Sequence, residues 1–105
     1  MQVKLKEIAN VIRSKNAGPF ELTLDVLLKD SETYEKIRKA DIINKTVIAQ
    51  LYKIPEEDVL SIVYFPNALA IKATIVRPLP SGAMGERDVY GAQQHGPLVE
   101  FTFDI

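Results

Sequence analysis

Leu69, Ile71, Ala73 and Ile75 alternate along one stretch of this chain, and Leu22, Leu24 and Val26 alternate along another. A period of two puts every second side chain on the same side of an extended strand, so each stretch has one face to bury. Between them lie two segments that read as helices. Residues 31–39 follow Asp30-Ser31, and either residue can cap a helix by accepting a bond from the unpaired amides of its first turn. Glu32 suits the positive start of this helix, and Lys36, Arg38 and Lys39 suit its negative end. Tyr34 and Ile37 are its expected inward contacts. Asn44 caps a second helix over residues 45–53, where Val47, Ile48, Leu51 and Tyr52 form an apolar stripe and Pro55 marks the stop. Two consecutive helices enclosed by half-buried strands predict an α+β fold. The expected form is a two-layer sandwich of antiparallel sheet and helices, a ferredoxin-like variant.

The remaining elements follow from turn chemistry. Residues 58–65 and 68–77 read as strands joined at Pro66-Asn67, which makes an antiparallel hairpin. Near the start, Val3 and Leu5 alternate like a strand, while Leu5, Ile8 and Ile12 share a helical face. A short strand leading into a turn or irregular stretch is expected there. Residues 13–19 are polar and end in Gly18-Pro19, which predicts a loop before a strand over 20–26. Residues 78–97 hold four glycines and three prolines and predict a long loop, with residues 80–86 expected to be mobile. Val99, Phe101, Phe103 and Ile105 alternate and predict a closing strand over 98–105.

At 105 residues the chain has the length of one domain. Thirteen basic and fourteen acidic residues give a net charge of −1. That balance provides no general footprint for nucleic acid or an anionic membrane surface, so neither is an expected partner. No cysteine is present, which removes disulfides, thiol nucleophiles and thiolate metal sites together. The N-terminal stretch lacks the apolar block of a signal peptide, and a cytoplasmic location is expected. His95 is the single histidine, so a multi-histidine metal site within one chain is excluded, and no metal or other cofactor is expected.

Two polar segments are not explained by helix or strand formation alone. In the first, Arg13 offers a planar fork suited to carboxylate or phosphate, and Lys15 adds a point charge. Ser14, Asn16 and the backbone near Gly18 complete a candidate anion-binding nest. The plainer reading is a solvated connection with a glycine at a turn. In the second segment, Tyr90, Gln93, Gln94 and His95 form a dense set of donors and acceptors, with His95 as a candidate general base. The plainer reading there is a histidine satisfied by a nearby carbonyl. If the two segments converge, Arg13 would hold a carboxylate ligand while His95 exchanges a proton with it. No nucleophile partner, P-loop or dinucleotide fingerprint accompanies them. Gly82-Ala83-Met84-Gly85 lacks the basic helical setting of a nucleic-acid clamp, Asn44-Lys45-Thr46 reads as a helix start, and Glu56-Glu57-Asp58 reads as a solvated acidic turn.

Three blocks, residues 8–20 (IANVIRSKNAGPF), residues 68–72 (ALAIK) and residues 88–95 (DVYGAQQH), are unusual in composition. Through them the chain resembles a family of small stand-alone proteins of unknown function, and the likeness extends over essentially its whole length. Members of that family are associated with proteins resembling the acyclic terpene utilisation family. The resemblance implies a small companion subunit in the catabolism of organic acids or their acyl-CoA forms, with a larger protein of that type as partner. The terminal domain of those larger proteins has a ferredoxin-like fold. Its Ala-x-x-Arg-Ser-Gly-x-Lys-Gly pattern is similar to Ala9 through Gly18, where Lys15 and Asn16 replace part of the glycine-rich run. A stand-alone hydratase, isomerase or lyase using His95 and Arg13, a carboxylate-binding regulatory module, and a homo-oligomer are the other readings left open.

Overall fold

The computed structural model describes residues 2–17, 20–76 and 96–104. In chain order these form β1 (Gln2–Lys4), α1 (Leu5–Ile8), β2 (Ala9–Asn16), β3 (Glu21–Leu28), α2 (Ser31–Ala40), α3 (Lys45–Tyr52), β4 (Val59–Phe65), β5 (Ala70–Val76), α4 (Gly96–Val99) and β6 (Thr102–Asp104). The α+β class is as expected. Four strands make an antiparallel sheet in the order β2-β3-β5-β4, and β1 pairs with β6 in a separate two-stranded ribbon. Within the main sheet the helices α2 and α3 follow one another between β3 and β4. The ferredoxin-like pattern instead separates its two helices by strands.

Both long helices begin as their caps predict. The Asp30 side chain accepts from the Thr33 amide at 2.7 Å, and the Asn44 side chain accepts from the Val47 amide at 2.9 Å. They end on Asp41 and Lys53, each in the left-handed region at φ 51° and 57°. The second helix therefore stops before Pro55. Inward residues of β3 and β5, among them Leu22, Leu24, Val26, Ile71 and Ile75, pack against Tyr34, Ile37, Ile43 and Ile48 in one core. Leu5, Leu98 and Phe103 join the same core from α1, α4 and β6.

Two expectations need correction. Residues 13–16 are not loop but the second half of β2, whose partners run from Ala9↔Leu28 to Asn16↔Leu22. Pairing with β3 engages the β3-facing backbone groups of this polar stretch, and the hairpin closes beyond it through the Ala17 amide on the Glu21 carbonyl, 3.0 Å. The short strand at the start leads, as expected, into a turn, a single helical one over residues 5–8 that keeps β1 and β2 separate. Leu98 and Val99 lie in α4 rather than in a strand, and the closing strand is only Thr102–Asp104. Pro97 near the start of α4 has a φ already set for a helix. The expected long loop lies, apart from residues 96–97, outside the described residues or at their edge.

Candidate functional site

One face of the main sheet carries the core. On the other face, strand register assembles three cross-strand rows. Arg13 faces Asp25, and Asp25 faces Lys72, which in turn faces Val63. On one side of this charged row lies an apolar one, Val11, Leu27, Ala70 and Phe65. On the other side lie Lys15, Thr23, Thr74 and Ser61. Among the described residues no helix packs on this face, and Val11, Val63 and Phe65 stand exposed on it.

Alternation along β2 divides the residues that the sequence grouped into one nest. Arg13 and Lys15 share the outer face with Val11, whereas Ser14 points inward and is buried at 5% exposure. Asn16 pairs in register with Leu22. Gly18 lies outside the described residues, as do Tyr90, Gln93, Gln94 and His95. The part of the nest that stands in the open is thus Arg13 with Lys15.

Arg13 is held in place. Its Nε donates to Asp25 Oδ2 at 3.1 Å. The Asp25 side chain is only 12% exposed, while the Arg13 side chain is 58% exposed, so the carboxylate forms the floor and the guanidinium reaches outward. Thr23 donates from Oγ1 to the Lys15 carbonyl at 3.2 Å, pinning the backbone beneath the second cation. Lys72, directly across from Asp25, adds a third cation to the same surface. Glu21 lies on the same face at the end of β3 and sets the limit of the basic area. Asp25 and Lys72 were missed by the sequence reading. The signal that could have found them is their outward parity: both interrupt apolar strands at positions alternating with the buried set.

Chemically, this surface can hold an anion. An oriented guanidinium with a nearby ammonium matches a carboxylate by paired charge-assisted bonds. Proton transfer has weaker support among the described residues. Burial pushes the phenols of Tyr34, Tyr52 and Tyr64 above their ordinary value, so none is poised to lose a proton near neutral pH. No group of three or more histidine, aspartate or glutamate side chains is placed to hold a metal among the described residues. A shallow depression of about 210 Å³ lined by Lys6, Ala9, Asn10, Ile12 and Val99 lies beyond the other side of β2. Its lysine is engaged with Glu100 at 3.5 Å. No helix of the described residues is long and apolar enough to cross a membrane.

Fold and surface together define a small α+β unit whose sheet, on the face opposite the core, carries cations and exposed apolar side chains around the buried Thr23 and Asp25. The chain belongs to the family described as a domain of unknown function (DUF4387), whose model matches residues 5–102. No curated protein and no solved structure matches it.

Proposed function

We propose that this chain is a companion subunit that docks a larger metabolic protein through the sheet face opposite the core and presents Arg13 and Lys15 to an anionic group of the substrate, the carboxylate of an organic acid or a phosphate of its acyl-CoA form. The observation that carries the reading is the juxtaposition of the Arg13–Asp25–Lys72 row with the row of Val11, Leu27, Ala70 and Phe65. Exposed apolar side chains beside oriented charges are the composition of a protein interface that also positions a ligand. The absence of a nucleophile–base pair among the described residues fits a subunit that completes a site better than one that runs a reaction alone. The resemblance to proteins associated with the acyclic terpene utilisation family makes a larger protein of that type the expected partner, and a cytoplasmic setting the expected one.

Affinity purification of the tagged chain from its native cells tests the reading. A stoichiometric large partner is expected, retained by the wild type and lost when Phe65 and Val11 are both changed to Ser. Arg13→Ala should keep the partner and reduce activity of the complex on a carboxylate substrate by about tenfold or more, the worth of one charge-assisted bond. An isolated chain that turns over substrate alone would overturn the proposal.

A further inference from the structure

The two edges of the main sheet are unlike. The edge strand β2 carries Arg13 and Lys15, and charged residues on an edge discourage another strand from pairing with it. The opposite edge strand, β4, reads Val-Leu-Ser-Ile-Val-Tyr-Phe and has no charge, proline or glycine in seven residues. Its one protective feature is a bulge between Val59 and Ser61, which leaves Ser61 to Phe65 in regular register with β5. Leu60, Val63 and Phe65 are each 42–43% exposed along it. Among the described residues no strand pairs with its outer edge, and the backbone bond that β4 makes outside β5 is at its start, from the Val59 amide to the Glu56 carbonyl. Such a strand offers a row of unpaired amides and carbonyls with apolar side chains on both sides.

We propose that β4 pairs antiparallel with β4 of a second copy, joining two four-stranded sheets into one of eight strands. The occupant follows from charge and symmetry. A two-fold contact sets residue i of one copy against residue j of the other within the same patch, so a strand whose charges share one sign meets only that sign. β4 has none, whereas β2 paired with itself would gather the Arg13 and Lys15 cations of both copies at one junction. Pairing about Val63 sets Val63 against Val63 and Ser61 against Phe65, all outward residues, with Ile62 against Tyr64 on the inward side. Faces therefore match across the junction, as a continuous sheet requires. A two-fold axis perpendicular to the sheet also places both cationic surfaces on the same side of the dimer. The inference uses the backbone edge of β4 whereas the companion-subunit reading uses the sheet face, and the side chains of Val63 and Phe65 border both.

Size-exclusion chromatography with light scattering on the full chain tests it. The wild type should run at twice the 11.8 kDa chain mass. Val63→Lys should run at the monomer mass with an unchanged circular dichroism spectrum, because the side chain is already exposed and two lysines would face one another across the axis. Val11→Lys, on the opposite edge strand, should remain dimeric. If Val63→Lys fails to fold, Val63→Glu, which likewise sets like charges against each other across the axis, decides the matter by the same readout. A wild-type monomer up to millimolar concentration, or a dimer that survives the lysine, overturns the proposal and assigns the edge to another polypeptide or to none.

Discussion

Two tyrosines meet edge to face in the core, with ring centroids 6.1 Å apart, yet their hydroxyls are treated differently. Tyr64 donates to the Ile43 carbonyl at 2.8 Å. Tyr34 is 1% exposed, and its hydroxyl has no hydrogen-bond partner among the described residues. Removing a satisfied hydroxyl leaves a buried carbonyl short of a donor, whereas removing an unsatisfied one relieves a desolvation cost. Tyr64→Phe should therefore lower stability by about 1 kcal/mol, while Tyr34→Phe should leave it unchanged or raise it by up to about 1 kcal/mol. Urea denaturation of the two variants checks this, and a clear loss in Tyr34→Phe would show that its hydroxyl is bonded after all. Both tyrosines were legible as core or sheet cover, but the fate of a hydroxyl depends on which distant carbonyl arrives beside it. The same limit governed Arg13. Its anion-binding chemistry is a property of the guanidinium and could be read directly. Its partner Asp25 lies twelve positions away and becomes a neighbour only through the β2–β3 register.

At the scale of elements, caps carried the prediction well and polar strands did not. Asn44 and Asp30 cap as read because the bond spans three residues and needs no tertiary contact. Residues 13–16 were misread because an edge strand with one solvated face can be mostly polar, and its pairing is set by β3 rather than by its own composition. Asn44→Ala should cost about 1 kcal/mol. The Asp30 cap should also give stability a dependence on pH. Bonds from the Thr33 amide and hydroxyl hold its carboxyl below the usual carboxylate range. A group whose folded value is depressed stabilises the fold above its unfolded value, near 4, and that contribution is lost as pH falls through the folded value. Asp30→Asn keeps a capping oxygen without the titration, so the melting-temperature gap between wild type and variant should shrink as pH is lowered from neutral into the acid range. A gap that stays constant would show that the charge adds nothing to the cap. At the far end of α3, Lys53 sits at φ 57°, a region where a Cβ is strained and glycine is not. Lys53→Gly should raise stability by about 0.5–1 kcal/mol, read as an upward shift of the thermal midpoint.

The whole molecule is closed by its ribbon. β1 and β6 pair through Gln2↔Asp104, Val3↔Phe103 and Lys4↔Thr102, so the two ends of the described chain meet beside the core. The apolar alternation over 98–105 anticipated that a terminal strand would pack inward, but not that its partner would be residues 2–4. Which strands neighbour one another is decided by the summed burial of the core, and short strands carry little of that information locally. Phe103 is the ribbon's buried residue, stacked on Phe101 at 5.2 Å between centroids, and the Phe101 carbonyl accepts from the Leu5 amide at 2.8 Å. The surrounding ion pairs of Glu100 with Lys4 and Lys6 are long and exposed, so they contribute little. Closure therefore rests on the aromatic ring. Phe103→Ala should cost about 3–5 kcal/mol, a large share of the 5–15 kcal/mol typical of a domain. Because β1 has no other strand partner among the described residues, the same change should release the amides of β1 to rapid hydrogen exchange while those of β3 and β5 stay protected. Glu100→Ala is the matched control and should alter neither quantity. Loss of protection throughout the main sheet in Phe103→Ala, at a temperature where the variant remains folded, would show instead that ribbon and sheet open as one unit.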